Sequence, residues 1–229
     1  PLCVTVRPAA LSVDACTLSG WPAPGTAMAA GDRCRVFLKC RDALGNVRAG
    51  GDTVRLLTRS GSATLPLEVE ELTSGGYAFT LAPTIAGSFA PFLGVNGIPV
   101  PKRFTPPIRV VAGAPARASI VANAVHRAEG EGGAPLRLSA SSSAAFALRV
   151  EDTHGNTVAA LADDALCGEC TGEHECPESV ARVTAQPNDT YTVEVRVPSR
   201  FGAYALEIWC DHGGGRTVLA KLPFVAVVP

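Results

Sequence analysis

Short stretches of alternating apolar and polar residues predict β-strands along most of the chain. The clearest is 34–41, whose alternate side chains form one face of Cys34, Val36, Leu38 and Cys40 and another of Arg35, Phe37, Lys39 and Arg41. Because successive side chains of a strand point to opposite faces, the first set is the predicted core face. Similar runs are separated by many of the 23 Gly and 18 Pro residues. This pattern predicts an all-β chain.

Fourteen strands are predicted, seven in each half of the chain. Those of the first half lie at 2–6, 34–41, 53–58, 64–71, 77–82, 88–95 and 104–111. Those of the second half lie at 116–124, 144–151, 157–161, 179–186, 190–197, 203–210 and 217–227. Asn96-Gly97 predicts a tight hairpin.

Three connections are predicted to be irregular. Residues 8–31 read as a long loop, and the Gly- and Ser-rich stretch 126–143 is expected to be mobile. Residues 163–178 read as an insertion between the third and fourth strands of the second half.

A repeated phrase indicates that the chain contains two copies of one domain. Arg41–Asn46 returns as Glu151–Asn156, and each copy is followed by a strand that begins with Tyr and then by a Gly-aromatic strand. A repeat of about 110 residues has the size of a whole domain. We therefore predict domains at 1–112 and 113–229. Asp42 and Asp152 are interpreted as turn-forming side chains that accept hydrogen bonds from nearby backbone amides.

The strand patterns resemble filamin-type immunoglobulin repeats. The resemblance rests on the Asp-x-x-Gly-Asn turn, Gly50-Gly51, the segment Tyr77–Phe89 and the closing strands at 108–111 and 222–227. It implies two tandem immunoglobulin-like β-sandwiches. The cysteine content and the Ala/Gly/Arg/Pro bias are similar to the plant and algal gamete-surface adhesion family, which implies attachment between gametes.

Eight cysteines, four in each half, predict disulfide bonds and an oxidising compartment. In the first half, nesting of the first two strands favours Cys3 with Cys40 and Cys16 with Cys34, although two other pairings remain open. Asn188 begins a glycosylation sequon. No apolar run reaches membrane-spanning length, so a membrane anchor is expected outside the fragment.

The cysteine-rich segment of the second half admits three interpretations. Cys167, Cys170 and Cys176, with His174 between them, could bind zinc or form a redox pair. With Cys210 as a fourth thiol, two disulfides are the preferred interpretation, and their connectivity stays open. They would pin an acidic loop in which Glu173 and Glu175 are candidate partner contacts.

Charge is unevenly distributed between the halves. Residues 1–112 hold 11 Lys and Arg against 7 Asp and Glu, whereas 113–229 hold 9 against 14. Arg35, Lys39, Arg41 and Arg55 are candidate contacts for an acidic partner, or for strand addition along Thr53–Thr58. The alternative interpretation is that these charges protect strand edges from aggregation.

The function predicted from these features is cell–cell adhesion and recognition, before membrane fusion between gametes. The expected partner is a protein receptor on an opposing cell, with self-association as a further option and no role for nucleic acid. No catalytic constellation, phosphate-binding loop, cofactor or metal requirement emerges, so no enzymatic activity is expected. The alternative is an intracellular filamin-like scaffold that binds partner peptides by strand addition.

Overall fold

The computed structural model describes residues 7–59, 67–123, 135–159, 161, 165–172, 174, 180–212 and 215–228. The chain divides into two compact units, Pro1–Val111 (unit 1) and Ala112–Pro229 (unit 2). Throughout the described residues the regular secondary structure is β, which confirms the all-β prediction. The predicted strand at 2–6 lies outside the described residues.

Unit 1 is a sandwich of two sheets. Its strands are β1 (Thr17–Ser19), β2 (Ala27–Ala29), β3 (Cys34–Lys39), β4 (Val54–Arg59), β5 (Leu67–Glu71), β6 (Tyr77–Leu81), β7 (Gly87–Val95), β8 (Ile98–Pro99) and β9 (Ile108–Val111). One sheet has the order β1-β3-β6-β5 and the other the order β2-β9-β7-β4, with β8 paired to β7. The short strands β1 and β2 lie within 8–31, so the prediction that this whole stretch is irregular is wrong.

The core of unit 1 lies between its two sheets. As predicted, Val36, Leu38 and Cys40 of the β3 segment are buried, whereas Arg35 and Lys39 are exposed. The largest side chains of this core are Phe79, Phe89, Leu81, Leu93 and Ile108. The predicted hairpin at Asn96-Gly97 is confirmed, because both residues have positive φ between β7 and β8.

Unit 2 follows the same plan, with its strands joined into one continuous ladder. Its strands are β10 (Pro115–Asn123), β11 (Leu136–Ser139), β12 (Ser143–Asp152), β13 (Leu166–Gly172), β14 (Val180–Ala185), β15 (Tyr191–Arg196), β16 (Gly202–His212) and β17 (Gly215–Val227). Their order is β10-β12-β15-β14-β13-β16-β17-β11. The core contains Leu148, Val193, Leu206, Ile208 and Phe224.

Three predictions for unit 2 are corrected by these strands. The strand predicted at 157–161 is absent, since Thr157 makes only an isolated bridge with Glu151. The strand that follows the repeated turn is instead β13. The segment interpreted as an inserted loop therefore contains a core strand, since Leu166 and Cys170 are buried. Part of the stretch expected to be mobile forms β11, which pairs in parallel with β17.

Candidate functional site

The repeated aspartates perform the same structural task in both units. The Asp42 carboxylate accepts hydrogen bonds from the amides of Leu44 (2.9 Å), Asn46 (2.8 Å) and Ala9 (3.0 Å), and from the Asn46 side chain (2.9 Å). This confirms its interpretation as a turn-forming residue. The bond from Ala9 also fastens the chain that enters unit 1 to the end of β3.

In unit 2 the same set of hydrogen bonds is centred on Asp152. Its carboxylate accepts hydrogen bonds from the amides of His154 (2.8 Å), Asn156 (2.9 Å) and Gly113 (2.8 Å), and from the Asn156 side chain (2.8 Å). Gly155 has a φ of 84°, a value that non-glycine residues seldom adopt. With every oxygen satisfied by protein donors, neither aspartate is available as a general acid or a metal ligand.

A buried polar network in unit 1 supports the start of β4. The Arg48 guanidinium contacts both carboxylate oxygens of Asp52 at 3.0–3.2 Å, and the Asn96 side chain donates to Asp52 at 2.7 Å. The Asp52 amide donates to the Tyr77 hydroxyl at 2.6 Å. In unit 2 the Tyr191 hydroxyl accepts a bond from the Leu161 amide at 3.2 Å. The tyrosine of each repeat therefore anchors the segment that leads to the next strand.

The first-half cysteines adopt an arrangement that differs from the predicted pairing. Cys16, Cys34 and Cys40 are free thiols in the structure, and Cys3 lies outside the described residues. The Cys34 thiol donates to the Gly20 carbonyl at 2.9 Å, far along β3 from Cys40. The β1–β3 register separates Cys16 from Cys34 by six strand positions, about 20 Å. The predicted Cys16–Cys34 disulfide is therefore incompatible with this register, because the two Cα atoms of a disulfide must lie within about 7 Å.

The described cysteines of the second half are dispersed over two sides of a sheet. Cys170 and Cys210 are buried in the core but lie four register positions apart, whereas Cys167 pairs with Trp209 on the opposite face. Burial raises the pKa of the Cys210 thiol, and the nearby Asp211 and Cys167 raise it further. Among the described residues, no group of His, Cys, Asp and Glu could hold a metal ion. Cys176, Glu173 and Glu175 lie outside the described residues.

The glycosylation sequon occupies an exposed turn between β14 and β15. Asn188 is exposed, and its side-chain oxygen accepts a bond from the Thr190 hydroxyl at 2.6 Å. The position is thus accessible to a glycan, whose presence stays a prediction.

The basic residues predicted to contact a partner differ in whether they already form ion pairs or hydrogen bonds within the protein. Arg35 forms an ion pair with Glu70 at 2.6 Å, and Arg41 donates to the Gly45 carbonyl. For the described part of unit 1, no ion pair involves Lys39 or Arg55. Arg35 therefore fits the edge-protecting interpretation, whereas Lys39 and Arg55 remain available to a partner.

Arg55 belongs to an exposed surface that we call the β4–β7 face, formed by Arg55, Leu57 and Phe92. Leu57 lies opposite Phe92 in the β4–β7 register, and Arg55 lies opposite Gly94. Leu57 is 53% exposed and Phe92 is 49% exposed. Leu57 was not among the contact residues predicted from the sequence. Its position two residues after Arg55 on one strand face was the available signal.

The edge of β4 beside this face is open. Over the described residues, β4 pairs only with β7 and ends its sheet. The corresponding strand of unit 2, β13, instead pairs on both sides, with β16 and with β14. An exposed strand with free backbone groups and apolar side chains is a template for an added strand. In the described part of the chain, unit 1 therefore has an unpaired strand edge at the position where unit 2 has a paired one.

Comparison with known proteins shows the fold class. No protein-family model matches the chain, and no curated protein sequence does. The solved structure of FdeC, an Escherichia coli adhesin, is similar with a TM-score of 0.57 and 20% identity, over 98% of this chain and 68% of that one. Invasin, a bacterial integrin-binding protein, is similar with a TM-score of 0.55 and 18% identity, over 97% of this chain and 42% of that one.

These likenesses show that the chain has an immunoglobulin-like all-β fold of the kind found in adhesins. The chain spans less than half of the invasin structure. The Lin-41 filamin domain is 18% identical over 47% of this chain, with a TM-score of 0.38, a likeness too weak to test the filamin resemblance. No helical segment in the described part of the chain has the length and apolarity that crossing a bilayer requires.

Proposed function

We propose that this chain is part of an extracellular cell–cell adhesion protein that attaches gametes to one another before membrane fusion. The β4–β7 face of unit 1 is its receptor-binding surface, with disulfides and a glycan at Asn188 as features of the secreted protein. The observation that carries the proposal is the open edge of β4 beside two half-exposed apolar side chains, in a fold that adhesins share.

The chemistry of this face indicates what kind of partner it binds. Leu57 and Phe92 provide apolar area, and the exposed Arg55 adds a positive charge beside them. Unit 1 as a whole carries an excess of basic residues. A protein segment with apolar and acidic side chains would complement the face, because apolar contacts supply affinity and opposite charges speed association.

A cell-surface binding assay tests both the function and the face. The soluble fragment is labelled and added to gametes of the same and the opposite mating type. We expect binding to the opposite type, and at least tenfold weaker binding by the Leu57→Ser/Phe92→Ser variant, since exposed apolar anchors at the centre of an interface carry much of its energy.

Val218→Ser is the matched control, because Val218 is 51% exposed on a strand of unit 2. It should bind like the wild type. Equal binding to both mating types, or none, would remove the gamete assignment. Unchanged binding by the double variant would instead remove the β4–β7 face as the contact surface.

A second candidate is an intracellular filamin-like scaffold that binds peptides along β4. The open β4 edge serves this function equally well, and Cys16, Cys34 and Cys40 of unit 1 are free thiols in the structure. The thiol state of the protein from its native source separates the two candidates. Free cysteines throughout favour the scaffold, whereas disulfide-linked cysteines favour the extracellular adhesin.

A further inference from the structure

We propose that Cys16 and Cys40 form a disulfide bond that joins β1 to β3 across the sheet of unit 1. The register pairs Thr17 with Lys39 and Leu18 with Leu38, so the next position places Cys16 opposite Cys40. Directly opposed residues of an antiparallel pair have Cα atoms about 4.5–5.5 Å apart. A disulfide requires about 4.4–6.8 Å, so the backbone already satisfies its geometry.

Both side chains lie on the same side of the sheet. Cys16 is 3% exposed and Cys40 is 1% exposed, and both belong to the core of unit 1. Each thiol is close enough to shift the pKa of the other, and the Cys16 thiol also donates to the Ser12 carbonyl at 3.3 Å. Oxidation therefore only requires the two sulfur atoms to move from contact to bonding distance, with no rearrangement of the strands.

The two neighbouring thiols differ in acidity in the folded unit. The hydrogen bond with Cys40 lowers the pKa of Cys16 to about 7, whereas the same bond and burial raise the pKa of Cys40. In the folded unit Cys16 is therefore the thiol that ionises more readily at neutral pH. Both thiols are buried there, so the oxidant reaches Cys16 when the three-residue edge strand β1 opens locally.

The oxidant is a small-molecule disulfide such as oxidised glutathione. The Cys16 thiolate attacks one sulfur of this disulfide and releases one thiolate. The Cys40 thiolate then attacks the Cys16 sulfur of the mixed disulfide and releases the second. In total, the S–S bond of the oxidant breaks and the Cys16–Cys40 S–S bond forms, and the two protons lost by the protein thiols are taken up by the two thiols released from the oxidant.

The bond would hold a weakly attached segment in place. β1 is a three-residue strand at the edge of its sheet, and a bond from Cys16 to Cys40 closes a loop of 25 residues. A cross-link of this kind restricts the unfolded chain. Asp52 would lose its contact with the Cys40 thiol but would keep those with Arg48 and Asn96.

Peptide mapping tests the pairing directly. The 229-residue chain is produced through a secretory pathway, alkylated without reduction and digested with trypsin and an Asp-directed protease. This digestion places the four first-half cysteines in separate peptides, 1–13, 14–31, 34–35 and 40–41. We expect peptide 14–31 linked to 40–41, and the link should disappear on reduction. A link from 14–31 to 34–35 or to 1–13, or an alkylated Cys16, would overturn the proposal.

Thermal unfolding of variants provides a second measurement. Cys16→Ala and Cys40→Ala should each lower the Tm of the oxidised protein by roughly 10 °C, and the double variant should lower it no further. Excess reductant should abolish most of these differences. Ser19→Ala, on the exposed side of β1, is the matched control and should stay near the wild type. Losses that add in the double variant, or that persist in reductant, would mean that the thiols act separately.

Discussion

At the residue scale, a single carboxylate in each unit ties together a turn and the segment that enters the unit. Asp42 and Asp152 are both 1% exposed and each accepts four hydrogen bonds. The amides of Ala9 and Gly113, distant in sequence from these aspartates, occupy equivalent places in the two sets. The repeated Asp-x-x-Gly-Asn motif thus forms a turn and also holds the segment around Ala9 or Gly113 against that turn.

Removing the Asp152 carboxylate should destabilise unit 2. Asp152→Ala leaves the amides of Gly113, His154 and Asn156 without their acceptor. Because hydrogen bonds to a charged group contribute about 1.5–3 kcal/mol, we expect a loss of about 3 kcal/mol in the free energy of unfolding, measured with urea. Asp211→Ala, which removes an exposed carboxylate, should change it by less than about 0.5 kcal/mol. Equal effects of the two substitutions would contradict this role.

The same aspartates should make stability depend on pH in the acid range. Hydrogen bonds from the Asn46 side chain and the Ala9 amide lower the pKa of Asp42 from 3.8 to about 2. For Asp152, burial raises the pKa, but hydrogen bonds from Asn156 and Gly113 outweigh it and lower the pKa overall. A carboxylate whose pKa is lower in the folded state stabilises the protein above its unfolded pKa, and this stabilisation is lost as pH falls through the folded value.

We therefore expect the Tm of the wild type to fall between about pH 4 and pH 2 more steeply than that of Asp42→Asn/Asp152→Asn. The double variant should be less stable at pH 7, and the difference should shrink towards pH 2. A difference in Tm that stays constant across this range would show that the carboxylate charge is unimportant. Calorimetry at a series of pH values measures it.

At the element scale, the two units differ most in how the strand after the repeated turn is paired. In unit 1 that strand is β4, which leaves an open edge. In unit 2 it is β13, which is joined to β14 through Gly168 and Glu169. A Cβ atom at Gly168 would lie 2.6 Å from the Ala181 Cβ and 3.3 Å from the Ile208 Cδ1. The glycine therefore permits the close approach of β13 to β14 that joins the two parts of the unit 2 ladder.

Gly168→Ala should accordingly weaken unit 2. The added methyl group must displace Ala181, and overpacking of this kind costs about 1–3 kcal/mol. Gly215→Ala is the control, because a Cβ there meets nothing within 4 Å. Denaturant unfolding of both variants measures the difference. If the Gly168→Ala protein were as stable as the control, β13 and β14 could accommodate a methyl group without strain.

At the scale of the whole molecule, the chain is two units with separate cores. The unit 1 core is centred on residues such as Phe79 and Phe89, and the unit 2 core on residues such as Leu206 and Phe224. Tyr204 stacks on Phe224 with a ring separation of 5.5 Å. Each unit has the size of an ordinary independent domain.

We therefore expect residues 1–111 and 112–229 to fold when they are produced separately. Each should unfold in one cooperative transition, detected by calorimetry and by near-ultraviolet circular dichroism. A fragment that lacks cooperative unfolding would show that its core depends on the other unit. The intact chain provides the reference for both transitions.

Several features were predictable because they depend on local chemistry. The alternation at 34–41 predicted the core face of β3, Asn96-Gly97 predicted the hairpin, and Asp42 predicted the turn. The third strand of unit 2 was not predictable in the same way, because Cys167–Gly172 contains cysteine, glycine and glutamate residues that are typical of loops. Its strand conformation depends on Ala181 and Ile208, which are far away in sequence.

The sequence by itself determined the all-β class, the core face of β3 and the turns at Asp42 and Asn96-Gly97, because strand periodicity and turn chemistry act between near neighbours. Only the tertiary structure decided which strand edges stay open and which cysteines meet. Those outcomes depend on register between distant strands, where a shift of one position changes every pair. The open β4 edge and the opposition of Cys16 to Cys40 both follow from such registers.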